Sequence, residues 1–107
     1  MVSVKVKKSR NSYVGFSCKG HAGSAEYGKD LVCCAISTLV INTINSIEEL
    51  TDTEFIVNSD ETTGYIDFKF NDVVSREASL FIDSMILGIK AIEEDNRKFV
   101  RLEIKEV

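Results

Sequence analysis

Residues 30–50 read DLVCCAISTLVINTINSIEEL, and the interpretation of this stretch decides the fold class. Its many β-branched residues favour a strand by propensity, but about 20 residues without a turn signal are too long for a single strand. Four aliphatic residues recur at helical spacing, namely Ile36, Val40, Ile44 and Ile47. We therefore predict a helix that Asp30 caps and that is buried on most sides in its first half.

Upstream of this helix, the sequence predicts a β-hairpin and a loop. Val2–Lys7 alternates apolar with polar residues, and residues 14–19 do the same after a polar turn at residues 8–11. Such a period of two is typical of strands with one buried face. Gly20–Lys29 contains three glycines and has no periodicity, so we predict a mobile loop there.

Downstream, a second hairpin is predicted from residues 54–58 and 65–70, followed by an amphipathic helix over Asp72–Glu94 that Asp72 caps. Alternation over residues 100–105 adds a last strand. The predicted fold class is α+β in a single domain over residues 1–107. Its element order is ββαββαβ, and its two helices pack on one face of a mostly antiparallel sheet.

Composition narrows the possible partners. The chain has 107 residues, a formal net charge of −4 and an isoelectric point near 5.0. Binding to nucleic acid depends on clustered Lys and Arg, so no direct nucleic-acid partner is expected. The N-terminal segment MVSVKVKKSR has no apolar run of 7 to 15 residues after its basic residues, so we expect a cytoplasmic protein without a membrane partner. An odd number of cysteines, three, fits reduced thiols.

The only histidine, His21, lies at the end of the predicted hairpin, and Cys33 lies three residues after the predicted cap. A helix N-terminus lowers the pKa of a thiol, and an imidazole can take the thiol proton and return it to a leaving amine. These two residues are therefore candidates for a nucleophile and its base. The structural alternative is a small core side chain and a structural histidine, since cysteine is among the most buried residue types.

A zinc site is a further alternative, because Cys18, His21, Cys33 and Cys34 offer four soft ligands. Adjacent helix residues point about 100° apart, which makes joint ligation by Cys33 and Cys34 difficult. We therefore predict neither a metal site nor a cofactor.

The stretch GHAGSAEYGKDLVCCAIS, residues 20–37, resembles the signature of the ribosomal-processing cysteine protease family, Prp or YsxB-like. That signature combines Gly-His, a short loop, Gly-x-Asp-[Ile/Leu]-Val-Cys, small residues and Ser. The matching positions are Gly20, His21, Gly28, Asp30, Leu31, Val32, Cys33 and Ser37. The element order of the remaining chain also fits, so the resemblance extends over essentially all 107 residues.

The resemblance implies a cysteine endopeptidase with Cys33 as nucleophile and His21 as general base and acid. Gly20 and Gly28 would flank a loop that closes over the substrate. The implied reaction removes a short N-terminal extension from a large-subunit ribosomal protein of the L27 type during ribosome maturation. The resemblance also implies a homodimer, and the apolar stripe of the second predicted helix supports one: Phe81, Ile82, Met85, Ile86 and Ile89.

Several roles stay open at this stage. Asp30 either caps the helix or points toward the imidazole, and we favour the cap. Ser37 either donates a hydrogen bond to a helix carbonyl or forms one near the thiol, and we favour the carbonyl. Glu26 is only a candidate for a third catalytic residue. The alternative function is a non-catalytic module whose acidic surface binds a ribosomal or other basic partner.

Cys34 stands where the family commonly has a small residue, so the two neighbouring thiols must be told apart. With Asp30 as cap, the side chain of Cys33 lies near the open end of the helix, and Cys34 leads toward deeper packing. We therefore predict that Cys33 is the reactive thiol.

Overall fold

A computed structural model describes residues 1–20, 27–60, 62–71 and 73–107 of the chain. Two antiparallel hairpins alternate with two long helices, and a last strand follows. The elements are β1 (Val2–Ser9), β2 (Ser12–Lys19), α1 (Tyr27–Leu50), β3 (Phe55–Asp60), β4 (Tyr65–Phe70), α2 (Arg76–Asp95) and β5 (Val100–Glu106). The predicted order ββαββαβ is confirmed.

The strands form one five-stranded sheet in the order β3-β4-β2-β1-β5. The pairs β1–β2, β2–β4 and β3–β4 are antiparallel, and β1–β5 is parallel. Arg10 and Asn11 join β1 to β2 with φ values of 51° and 66°, as a tight two-residue hairpin requires. The predicted sheet, mostly antiparallel, is therefore confirmed.

Both helices cover the same face of the sheet. Val2, Val4 and Val6 are fully buried, as their alternation predicts, and the facing side chains of β2, β4 and β5 join them in the core. The helices also pack on each other, and a Cβ at Gly88 of α2 would lie only 2.9 Å from Cδ1 of Leu39 in α1. Gly88 thus lets the two helices approach closely.

The helix starts differ from the predictions. Helix α1 begins at Tyr27, three residues before Asp30, so the prediction that Asp30 is the N-cap is wrong. Residues 27–29 of the predicted loop are helical, and the remainder of that loop lies outside the described residues apart from Gly20. Ser75 caps α2 by accepting a hydrogen bond from the N–H of Ala78, and the predicted cap, Asp72, lies outside the described residues.

The first half of α1 is not buried on most sides. Val32, Cys33 and Ile36 face the core, but Leu31 is 56% exposed, and Cys34 and Thr38 are exposed as well. The cause is the two-layer architecture, in which α1 has the sheet below it, α2 beside it and solvent on its outer side. By length and mean hydropathy, residues 31–50 would also pass for a membrane-spanning helix, a test that the core helices of soluble proteins pass as well.

Candidate active site

Cys33 lies on the face of α1 that is turned toward the sheet. Its side chain is 6% exposed and belongs to the core together with its neighbours Val32 and Ile36. The thiol donates a hydrogen bond to the backbone carbonyl of Gly20, at an Sγ–O distance of 3.8 Å. The nucleophile predicted from sequence therefore lies directly over the end of β2.

The structure requires glycine at position 20. Its φ of +86° lies in the left-handed region, and a Cβ at this position would lie 2.2 Å from the carbonyl oxygen of Met1. The chain can make this turn against the start of β1 only without a side chain. The Gly-His pair of the sequence motif therefore has a structural reason, because Gly20 brings its own carbonyl to the thiol and is followed directly by His21.

A second thiol lies beneath the first. Cys18, on the inner face of β2, is fully buried. Burial, and secondly the negative charge that Cys33 carries as a thiolate, raise the pKa of Cys18 to about 12. Cys18 therefore stays protonated at neutral pH and cannot compete as a nucleophile.

The position of Cys33 along α1 overturns part of the sequence argument. Because α1 begins at Tyr27, Cys33 is its seventh residue, beyond the four N–H groups that lack a partner within the helix. The helix dipole acts mainly within the first turn, so it stabilises the thiolate less than predicted.

The predicted accessibilities of the two neighbouring thiols are also reversed. Cys33 is buried and Cys34 is exposed. The reason is helical phase, since Cys33 shares a face with Ile36 and Val40 whereas Cys34 is turned about 100° away. Selective reactivity of Cys33 must therefore come from its surroundings and not from better solvent access.

The other predicted site residues divide into three groups. His21 and Glu26 lie outside the described residues. The backbones of Gly28 and Asp30 belong to the first turn of α1, so neither residue is in a loop. Ser37 lies one turn after Cys33 and is half-buried, and among the described residues its hydroxyl has no hydrogen-bond partner, so the predicted bond to a helix carbonyl is not formed.

The metal alternative finds no support in the geometry of the cysteines. Cys34 faces solvent, away from Cys18 and Cys33, so the three sulfurs do not converge on one point. Within the described ranges, no group of three or more His, Cys, Asp or Glu side chains is placed to hold a metal ion.

Sequence reasoning missed a cavity between the outer side of α1 and the hairpin of β3 and β4. Exposed residues follow one stripe of the helix: Leu31, Cys34, Thr38, Ile41 and Asn45. At its far end, Ile41 and Ile44 line this cavity of about 310 Å³ together with Val57 of β3 and Tyr65 of β4. The available sequence signal was Ile41, an aliphatic residue outside the buried periodicity of the helix.

The Cys33 thiol lies over Gly20, which directly precedes the only histidine in the sequence, and this is the arrangement expected of a hydrolase with a cysteine nucleophile. Comparison with known proteins identifies the family within this class. Residues 1–101 match the family described as cysteine protease Prp. The ribosomal processing cysteine protease Prp of Bacillus subtilis is 30% identical over 107 residues, with 95% of this chain and 96% of that protein covered.

Two solved structures are similar to this chain over its whole fold. The crystal structure of SMU.848 from Streptococcus mutans has a TM-score of 0.91 at 29% identity, covering 100% of this chain and 99% of that one. The S. aureus protease Prp in complex with a substrate peptide also has a TM-score of 0.91, at 27% identity, covering 98% of this chain and 100% of that one.

The chain belongs to the cysteine protease Prp family. Both the resemblance seen in the sequence and the prediction of a cysteine protease are thereby confirmed. The alternative of a non-catalytic acidic module is not supported.

Proposed function

We propose that this protease removes a short N-terminal extension from a large-subunit ribosomal protein of the L27 type during ribosome maturation. The relatives from B. subtilis and S. aureus are named ribosomal processing proteases, and the S. aureus structure holds a substrate peptide. The observation that carries the proposal is the contact between the Cys33 thiol and the carbonyl of Gly20, because His21 is joined to Gly20 by one peptide bond.

In the proposed mechanism, the imidazole of His21 takes the proton of Cys33 Sγ, and the thiolate attacks the carbonyl carbon of the scissile peptide. The carbonyl oxygen gains the negative charge, which backbone N–H groups of the 20–29 segment stabilise. His21 then gives the proton to the leaving amine, and a thioester to Cys33 remains. Water attacks the thioester, with His21 as base, and releases the cleaved extension and the free thiol.

The first turn of α1 supplies the second half of the proposed site. The side chain of a helical residue leans toward the helix N-terminus, so Cys33 leans toward the turn that contains Gly28 and Asp30. We propose that the backbone of Gly28 and the carboxylate of Asp30 contact the substrate, and that the half-buried hydroxyl of Ser37 lies beside it. Glu26 is the candidate to orient His21.

Incubation with the full-length precursor of an L27-type protein, followed by intact mass measurement, tests the function. Cleavage should release one short N-terminal peptide, and Cys33→Ser and His21→Ala should abolish it with the circular dichroism spectrum unchanged. Cys34→Ala is the matched control and should cleave normally. Persistent cleavage by Cys33→Ser, or an intact precursor with wild-type protein, would contradict the proposal.

We also propose that residues 1–107 act as one catalytic domain in the cytoplasm, as a homodimer. The stripe predicted to form the interface is covered within the chain, because Ile82, Met85, Ile86 and Ile89 are buried against α1 and the sheet. A different face of α2 remains available, where Leu80 is 52% exposed and Leu87 is 70% exposed, with Ser84 between them and Ala91 one turn after Leu87.

Sedimentation at micromolar concentration tests the dimer. Leu87→Glu should convert it to the 11.9 kDa monomer. Leu50→Glu, an equally exposed leucine at the end of α1, serves as the control and should not. Wild-type protein that sediments only as a monomer would refute the dimer.

A further inference from the structure

The open face of the sheet, opposite the helices, carries a basic depression of about 480 Å³ across β4, β2, β1 and β5. Five cationic side chains line it: Lys5, Lys7, Lys19, Arg101 and Lys105. Glu103 is the one acidic side chain among its lining residues. Beside it on β4, Lys69 and Asp67 carry opposite charges, and the Tyr65 hydroxyl is hydrogen-bonded to the Asp67 carboxylate.

The distribution of charge differs from what the net charge suggests. The whole sequence has 13 Lys and Arg against 17 Asp and Glu. Five of these cationic side chains and one of the acidic side chains line the depression, so its formal charge is +4. The side chains of the rest of the chain then carry a formal charge of −8. The net charge of −4, from which no nucleic-acid partner was predicted, is therefore an average over two surfaces of opposite sign.

Most of the cations have no acidic neighbour in the sheet, and the exception is Lys5, which pairs with Glu103 in the β1–β5 register. Lys7 and Lys105 are direct neighbours in the parallel β1–β5 register, and like charges in such positions destabilise a sheet. Among the described residues, none of the five cationic groups lies within 4.0 Å of a carboxylate oxygen. An external anion would relieve this repulsion.

The remaining lining distinguishes between anionic partners. Tyr65, 37% exposed, stands at one edge of the depression, and Ser3 and Ser17 form its half-buried floor. Single-stranded nucleic acids bind where cations follow the backbone and an aromatic ring stacks on a base. An acidic peptide needs only the cations, and a duplex would find no element here to enter a groove.

We propose that this open face binds single-stranded RNA through its phosphates, with Tyr65 stacking on one base. The choice of RNA rests on the proposed function, since a ribosomal protein is assembled on RNA. Because the helices cover the other face of the sheet, the cations that would hold RNA lie on the surface opposite Cys33, and Tyr65 at the sheet edge is the lining residue that this depression shares with the cavity beside α1. RNA bound here would hold the protease close to its substrate on an assembling particle.

Fluorescence anisotropy with a labelled 12-nucleotide oligo(U) at 50 and 200 mM salt tests the proposal. Each neutralised phosphate on a single strand contributes a slope of about −0.7 in log K against log salt, so five contacts predict about a 100-fold loss of affinity over this range. The triple variant Lys5→Gln, Lys7→Gln, Lys105→Gln should reduce the slope by about 2. Tyr65→Leu should weaken binding about fivefold or more without changing the slope.

The matched control is Lys90→Gln, Arg97→Gln, Lys98→Gln, which removes the same charge from exposed positions outside the depression and should leave RNA binding unchanged. Absence of binding at 50 mM salt would overturn the proposal, as would equal losses in the two triple variants. Equal affinity for a labelled oligo-glutamate peptide would overturn it in favour of a protein partner. Cleavage of a short extension peptide, measured in parallel, should be unchanged in both triple variants, and its absence in wild-type protein would count against the proposed protease function alone.

Discussion

Substitution of Gly20 by alanine should disable the protease more than it destabilises the fold. The Cβ of alanine would lie 2.2 Å from the carbonyl oxygen of Met1, and backbone contacts below 3.0 Å are not tolerated. The chain at residue 20 must therefore move by at least about 0.8 Å, which is the difference between these two distances. The φ of +86° adds a conformational cost of about 1–2 kcal/mol for any residue with a side chain.

The displacement acts on the site directly, because the carbonyl of Gly20 contacts Cys33 Sγ and His21 is the next residue. A misplacement of about 1 Å can cost about 100-fold in rate, so we expect kcat/KM for a precursor peptide to fall by about that factor. The free energy of unfolding in urea should fall by about 1–3 kcal/mol. The reactivity of Cys33 toward iodoacetamide, which needs the base but no substrate, should fall in parallel.

Gly88→Ala provides the control. It also introduces a short contact, 2.9 Å to Cδ1 of Leu39, but against a flexible side chain in the packing of α1 on α2. It should lower stability and keep kcat/KM within about threefold of the wild-type value. If Gly20→Ala loses stability and keeps full activity, the backbone of Gly20 does not position the site.

Three further outcomes are expected. Iodoacetamide near pH 6.5 should label Cys33 although Cys34 is the exposed thiol, and adducts confined to Cys34 in mass-spectrometric mapping would reject the assigned nucleophile. A precursor chain that extends from Cys33 along α1 would meet the apolar cavity at Ile41, about 12 Å away, so Ile41→Asp should raise KM for the protein substrate with kcat nearly unchanged. Ile56→Asp on the open face should change neither. Finally, the folded state keeps Cys18 protonated up to about pH 12, whereas the unfolded chain loses this proton near pH 9. The free energy of unfolding should therefore fall as pH rises through this interval, and a Cys18→Val variant with an equally steep fall would show that Cys18 is not responsible.

Alternation of apolar residues was enough to predict the strands and their buried faces. Val2, Val4 and Val6 all lie in the core because alternate side chains of a strand point to the same face of the sheet, and only one face is covered. The length of the apolar stretch in α1 was likewise enough to exclude a strand. These features depend on local geometry, and local geometry is what a sequence pattern records.

The helix starts depend on contacts between distant residues, and the sequence could not supply them. Both Asp72 and Ser75 are good N-cap residues for α2. The structure uses Ser75, whose hydroxyl accepts a hydrogen bond from Thr53 Oγ1 at 2.8 Å and whose N–H donates to the same oxygen at 3.2 Å. Thr53 lies 22 residues earlier in the chain, so this preference is not visible in any local pattern.

The prediction that Asp30 is the N-cap of α1 was wrong for a related reason. An acidic residue is favourable at an N-cap and also within the first turn of a helix, and the sequence does not distinguish the two positions. The error moved Cys33 from the seventh helical position to the third, which overstated the role of the helix dipole. The buried phase of the helix could be read from Ile36 and Val40, which Cys33 precedes at helical spacing, but the predicted accessibilities of Cys33 and Cys34 did not follow from it and were wrong.

The site joins the two layers of the fold, and this explains how its parts are held. Cys33 belongs to the helical layer, and the carbonyl that it contacts belongs to the end of β2 in the sheet. That strand end is fixed by its close approach to Met1, and the start of β1 is held in turn by the hydrogen bond from Val2 N–H to the carbonyl of Phe99 at 2.7 Å. Since Sγ and the Gly20 carbonyl have no covalent link except through the 20–33 segment, their distance depends on the packing of α1 on the sheet. Core variants that loosen this packing should therefore lose activity at temperatures where secondary structure is still intact.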